Sequence, residues 1–272
     1  MNPLDEPYPL SSEARAAFDR DGYVRLRGAL SPELIATYAP AITGTVARLN
    51  ASPPPLEQRS TYGKAFLQTF NLWQQDEAVC EFVFGKRLAG IAAGLLGVAG
   101  VRLYHDQALD KEPGGGHTPW HADQFYWPLD NDRTVTAWIP LQPVALEMGP
   151  MGFAPGSHRL DDAGRDLGIS DESEATIGAM LRERGFADEV SPYALGDVSF
   201  HSGWVFHHAG PNRTDRPRRA MTIIYMDAET RLREPVTRNE RLDAERWCPG
   251  IRPGELVASP INPVLYQARD GR

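Results

Sequence analysis

The chain is poor in cysteine, poor in lysine and without a long apolar run, and each shortage narrows what it can be. Only Cys80 and Cys248 occur among 272 residues. Two thiols so far apart supply neither a disulfide framework nor a Cys-x-x-Cys zinc pair, so a reducing cytoplasm is the simplest compartment. No stretch approaches the ~18 unbroken apolar residues of a membrane span. The opening MNPLDEPYPLSSE lacks the basic and apolar regions of a secretory signal, and none is expected. Lysine appears only as Lys64, Lys86 and Lys111; every other basic residue is arginine, the skew of a GC-rich bacterial genome. The net charge of −8 argues against a nucleic-acid surface. What is abundant is core material: 42% of residues are apolar, and all-β units of this length commonly form one domain.

The first third reads as helical. SSEARAAFDRDG has a serine cap, an acidic first turn and a stopping Gly22. SPELIATYAPAITGTVARL opens on Ser31 with Pro32 at the first helical position. DEAVCEFVFGKRLAGIAAGLLG has helical apolar spacing to Gly97, and YVRLRGAL alternates like a short strand. From residue 100 short β-branched and aromatic runs alternate with Gly/Pro punctuation, as in VRLYHDQAL, TVTAWIPLQPV, DVSFHSGWVFHHAG and RRAMTIIYMDA. Such spacing predicts a sandwich or jelly roll. The expected architecture is mainly β with flanking α-helices in a single domain, 1–272. Residues 1–99 form helical support, 100–230 the β core and 231–272 a C-terminal extension. A polar insert at 159–195 reads either as a solvated excursion or as a lid over a site at the mouth of the core.

The stretch PWHADQFYWP places His121 and Asp123 two residues apart. In a strand, residues i and i+2 share a face, so an imidazole and a carboxylate would project together. They could hold a metal, orient a catalytic histidine or form a surface pair. Two histidines and one carboxylate on one face of an iron, with three positions left open, are the signature of non-haem Fe(II) oxygenases. Of the seven histidines only His121 has a carboxylate two residues on, and FHSGWVFHHAGPN offers His201, His207 and His208 as a distal partner. Further on, Arg218 and Arg219 lead straight into the apolar run AMTIIYM. An arginine at the start of a buried strand needs an anion, and its planar fork suits a carboxylate.

DGYVRLRGALSPEL, PWHADQFYWPL, TAWIPL, PGSHR, GDVSFHSGWVFHHAGPNRTDRPRRA and SPINPVLY together resemble the phytanoyl-CoA dioxygenase family, over residues 15 to 267. The resemblance implies a double-stranded β-helix (jelly-roll, cupin-like) core and an enzyme using Fe(II), 2-oxoglutarate and O2. It makes His121, Asp123 and His207 the iron ligands and Arg218 the clamp for the distal carboxylate of 2-oxoglutarate. It places Trp138, and Thr136 on the same strand face, in the cosubstrate pocket, with Gln107 near the keto-acid end. Family members often carry Gly-Ser after the distal histidine. His208-Ala209 stands there instead, which implies loss of a serine bond to the cosubstrate. Halogenating relatives replace the carboxylate by a small residue; Asp123 is present, which implies oxygenation.

Phe125, Tyr126 and Trp127, which follow Asp123, and Phe70, which belongs to an N-terminal set with Phe66 and Trp73, are candidate substrate contacts. They favour a small, apolar or ring-bearing metabolite. The absence of a long basic segment disfavours a CoA thioester. Hydroxylation, with release of succinate and CO2, is the expected outcome, in a tailoring step of bacterial secondary metabolism such as antibiotic biosynthesis. Epimerisation, cyclisation or desaturation by the same iron chemistry is the alternative. A cupin-like metal hydrolase or isomerase without a keto acid, and a non-turning-over ligand binder, are the rivals that Arg218 and the intact triad respectively oppose.

Overall fold

The computed structural model describes residues 2–268; Met1 and 269–272, the outermost parts of the expected 1–272 domain, lie outside the described residues. The helical start follows its punctuation. The Ser11 side chain accepts from the Ala14 N–H to open α1 (Ser12–Asp21), and Gly22 closes it. Ser31 caps α2 (Pro32–Leu49) in the same way. A short α3 (Thr61–Ala65) follows. The run expected as one helix to Gly97 is two, α4 (Glu77–Val83) and α5 (Lys86–Leu96). The break falls at Gly85, where an added Cβ would stand 3.0 Å from Leu4 Cβ and 3.2 Å from the Leu4 carbonyl. Apolar periodicity runs straight through this junction, so it hides the N-terminal segment that packs there.

The strands are β1 (Tyr23–Leu26), β2 (Leu67–Phe70), β3 (Gly100–Lys111), β4 (Thr118–His121), β5 (Thr134–Pro140), β6 (Met151–Phe153), β7 (Glu189–Val190), β8 (Val198–Ser202), β9 (His207–Ala209), β10 (Arg218–Asp227) and β11 (Val264–Gln267). They form a seven-stranded sheet, ordered β1-β8-β5-β10-β3-β11 with β2 also on β3, and a four-stranded sheet, β4-β9-β6-β7. All the described pairings within these sheets are antiparallel. This is the expected jelly-roll class, mainly β with flanking helices, its two sheets not closed into a barrel. Strands β1, β2 and β11 come from outside residues 100–230, so the helical third and the C-terminal stretch also build the sheet.

Period-two alternation on the large sheet separates packing from chemistry. Val135, Ala137, Ile139, Val198, Phe200, Met221 and Ile223 join one buried cluster with Ile35, Ile42, Ala89 and Ala92 of the helices. Their strand neighbours Thr136, Trp138, His201, Arg218 and Thr222 line a cavity on the opposite face. Both faces are therefore buried, and β5 is buried at every position. Residues 159–195 are mostly exposed or half-buried, yet they carry regular structure. They hold α6 (Asp171–Glu183), whose Ile177 and Leu181 pack with Trp120, Ala154 and Phe206 behind the small sheet. They also supply β7, and Ile169, which reaches the cavity. The last helix, α7 (Arg238–Trp247), opens with a capping box between Thr237 and Glu240. No helix among the described residues is long and apolar enough to cross a membrane.

Candidate metal and cosubstrate site

His121 ends β4 and pairs in register with His207 on β9, which brings their ring centroids to 4.1 Å. Each ring is tied by its Nδ1 to the carbonyl two residues back, Pro119 at 2.7 Å and Val205 at 3.1 Å. A carbonyl only accepts, so each Nδ1 donates its hydrogen, which leaves each Nε2 turned toward Asp123. Asp123 completes the set: its Oδ1 lies 3.6 Å from His121 Nε2 and 3.7 Å from His207 Nε2. One donor atom from each of the three lies within 4.8 Å of the others.

Asp123 does not sit in a strand, contrary to the simple expectation. Strand β4 stops at His121, Ala122 stays extended, and Asp123 opens a 3-10 turn to Tyr126. The extended Ala122 preserves the shared face, and the turn is locked from below. The Gln124 N–H donates to the Gly203 carbonyl at 2.9 Å, and its side-chain oxygen accepts from the Thr134 hydroxyl at 2.6 Å. A Cβ on Gly203 would stand 2.4 Å from that oxygen, so only glycine fits beneath the turn.

The electrostatics suit a cation. Burial alone would raise the Asp123 carboxyl, but His207, His121 and His201 hold it well below its ordinary value. Burial, followed by His121, pushes His207 well below an ordinary imidazole. A carboxylate facing a neutral imidazole lone pair is a metal-ready arrangement.

Across the cavity, Arg218 is 1% exposed. Its Nε and Nη1 have no hydrogen-bond partner, and no carboxylate lies within 4.0 Å of it among the described residues. Its guanidinium carbon is 5.4 Å from the Trp138 ring centroid. Burial lowers its pKa to about 10. Arg219 faces outward and pairs with Asp110 at 3.3 Å. Desolvated, unpaired guanidinium donors opening into a cavity call for an anion.

The cavity is about 430 Å³ and receives most of the sequence-predicted residues. Gln107, Trp138, Thr136 and Arg218 line it with the triad, and so do Phe70, Tyr126 and Trp127. Thr136 turns out to touch the triad itself: its hydroxyl donates to Asp123 Oδ2 at 3.2 Å. Gln107 accepts from Gln68, whose own oxygen accepts from the Tyr62 hydroxyl at 2.9 Å. Phe125 does not line the cavity. It stands edge-on to Tyr126 with centroids 4.9 Å apart and lies against Gly168, because the 3-10 turn swings it away. Trp73 packs on Phe84 in the outer core. His208 points away from the triad, stacking on Trp120 at 4.1 Å and reaching Asp188 at 2.8 Å.

Sequence reasoning missed the wall contributed by α7. Asp243, Arg246 and Trp247 line the outer end of the cavity. The Tyr104 hydroxyl donates to Asp243 at 2.6 Å, and burial raises that carboxyl to about 7. His105 stacks on Trp247 at 4.4 Å and is lowered to about 3 by burial, hence neutral. It also left His201 undecided, and the structure brings it to 3.4 Å from Asp123.

Comparison with known proteins places the chain in a recognisable group. The sequence model of the phytanoyl-CoA dioxygenase family matches residues 18–220. An ectoine dioxygenase of Sphingopyxis alaskensis is 26% identical, covering 84% of this chain and 79% of the relative. A 1-deoxypentalenic acid 11-beta-hydroxylase of Streptomyces exfoliatus is 27% identical over 84% and 82%. Among solved structures, the non-heme alpha-ketoglutarate-dependent carbocyclase SnoK from nogalamycin biosynthesis superposes with a TM-score of 0.76 at 27% identity, covering 95% of this chain and 99% of that one. The epimerase SnoN, in complex with Fe3+, alpha-ketoglutarate and a nogalamycin, gives 0.76 at 28% identity over 93% and 98%.

Proposed function

The chain belongs to the phytanoyl-CoA dioxygenase family, and on that premise we propose that His121, Asp123 and His207 hold Fe(II) and that Arg218 binds the distal carboxylate of 2-oxoglutarate. The chain is a 2-oxoglutarate-dependent dioxygenase. The residues fit both groups. Two imidazoles and one carboxylate form the facial set of such iron centres, and Arg218 offers a carboxylate donors that nothing else uses. When bound, iron with 2-oxoglutarate and O2 supplies the oxidising power that breaks a substrate C–H bond, with succinate and CO2 released. Arg218 anchors the keto acid at its far end, so that its other end reaches the triad, and Trp138 walls the guanidinium. Gln107, held by Gln68, offers its amide N–H on the same side.

The substrate is a small, ring-bearing metabolite lying along Phe70, Tyr126, Trp127 and Trp247, whose aromatic faces keep water from the oxidised carbon. Hydroxylation is the first reading of the outcome. The likeness to a carbocyclase and an epimerase favours ring closure or inversion at the same centre as the second. We place the protein as one oxygenase domain working in a reducing cytoplasm, where Cys80 and Cys248 stay free.

The observation that carries this reading is the buried, unpartnered Arg218 opening into the cavity that holds the triad. The test is an anaerobic titration with Fe(II) and 2-oxoglutarate, followed by exposure to O2 and product analysis against a panel of ring-bearing metabolites. Binding of Fe(II) without any 2-oxoglutarate binding would turn the reading toward a metal hydrolase or isomerase.

A further inference from the structure

The two oxygens of Asp123 face different neighbours. Oδ1 faces the Nε2 atoms of His121 and His207. Oδ2 accepts the Thr136 hydroxyl at 3.2 Å and lies 3.4 Å from His201 Nε2. Thr136 and His201 are cross-strand partners on β5 and β8, so the ladder holds their side chains abreast on the inner face. His201 is 1% exposed, and neither of its ring nitrogens has a hydrogen-bond partner among the described residues. Its ring sits between Phe153, at 5.5 Å, and His207, at 4.5 Å. Leaving a buried donor unmade costs about 1–3 kcal/mol, and with Nε2 carrying the hydrogen the available acceptor is Asp123 Oδ2. Nor does His201 stand as a fourth donor: the set of atoms mutually within 4.8 Å is His121, Asp123 and His207.

We propose that His201 and Thr136 clamp Oδ2 of Asp123, so that the carboxylate gives the metal one oxygen and not two. The inference rests on the iron reading above. Three protein donors would leave room on an iron ion for the keto acid and for O2. A carboxylate free to swing and chelate would take part of that room. His201 and Thr136 are thus positioning residues that protect the cosubstrate's place. Orientation of this kind by outer hydrogen bonds typically changes metal affinity 10- to 100-fold.

The experiment uses Co(II), whose visible spectrum reports coordination and which does not turn over, in the wild type, His201→Phe, His201→Gln, Thr136→Val and the His201→Phe/Thr136→Val pair. His201→Phe keeps a ring and loses the donor; Thr136→Val keeps the shape and loses the hydroxyl. We expect Co(II) affinity to fall about 10- to 100-fold in His201→Phe and further in the pair. We also expect an altered Co(II) spectrum that 2-oxoglutarate no longer converts to the wild-type one, and partial recovery in His201→Gln, whose amide can donate. Thr136→Val alone carries the test if the histidine variants fail to fold. Wild-type affinity and spectra in Thr136→Val and the folded variants would overturn the clamp, as would a spectrum showing loss of a nitrogen ligand in His201→Phe. Failure of the iron reading is separate: it shows as His121→Ala binding Co(II) like the wild type.

Discussion

Replacing Arg218 by methionine should make the protein more stable and unable to bind its cosubstrate. The guanidinium is buried with no carboxylate beside it among the described residues, and burial lowers its pKa from 12.5 to about 10. At about 1.4 kcal/mol per tenfold change, that drop corresponds to roughly 3 kcal/mol held in an unpaired charge. Methionine keeps the reach and removes the charge. For a chain of this size 1 kcal/mol moves Tm by about 2–4 °C, so the ligand-free Tm should rise by up to roughly 10 °C. Binding should move the other way. Truncating one partner of a buried charged pair costs about 2–5 kcal/mol, which is about 30- to 5,000-fold in the Kd for 2-oxoglutarate. The assay is anaerobic calorimetry with metal and 2-oxoglutarate, beside thermal unfolding with and without the keto acid. At 100 times Kd the wild type should gain about 2.7 kcal/mol from ligand, while Arg218→Met gains almost nothing. Arg218→Lys, a point charge without the fork, should fall between them. Arg219→Ala should bind like the wild type, since that side chain is 44% exposed and paired with Asp110. A Kd within threefold of wild type in Arg218→Met would mean that the anion is held elsewhere.

His207→Ala should reduce bound metal per chain to near zero while His208→Ala leaves it unchanged, because His208 is engaged by Trp120 and Asp188; elemental analysis with the reverse result would exchange their roles. Gly203→Ala should cost about 2–3 kcal/mol by overpacking, read as a lower urea midpoint, since its Cβ would meet Gln124 Oε1 at 2.4 Å and Thr134 Oγ1 at 2.6 Å. Asp243 holds its proton more tightly folded than unfolded, the carboxyl rising from 3.8 to about 7 through burial. Its contribution to stability is therefore full below pH 4 and lost as pH rises through 7. The difference in urea stability between wild type and Asp243→Asn, measured from pH 4 to 8, should shrink with rising pH, and a difference that stays flat would disprove the burial argument.

Much of the chemistry was legible because it is local in sequence. His121 and Asp123 are two residues apart, and Arg218 announces itself by standing at the head of an apolar run. The resemblance marked Trp138, alternation added Thr136 on the same face of β5, and both side chains line the cavity. The illegible parts depend on contacts distant in sequence. Nothing in RNERLDAERW says that Asp243 and Trp247 face a cavity, since that follows from Tyr104 and His105 on β3. His201 was one of three histidines offered as a distal partner, and what places it is its pairing with Thr136 on β5, not its own run. Phe125 reads like Tyr126 and Trp127 in the sequence, and only the 3-10 turn sets it apart.

The outer wall on α7 is built differently from the rest of the cavity. The triad, Arg218 and Thr136 are mounted on strands or on the turns that strands pin, whereas Asp243, Arg246 and Trp247 stand on a helix capped at its own start and docked through Trp247 and Cys248 onto Tyr104 of β3 and Ile224 and Met226 of β10. Because Asp243 and Trp247 are tied to Tyr104 and His105 on β3, that helix can vary where it faces the cavity, at Arg246, without releasing the strand beneath it. The protein is in this sense a tool head whose jaw is bolted to one strand, and what it grips is tuned at the few helix positions that meet the cavity and no strand.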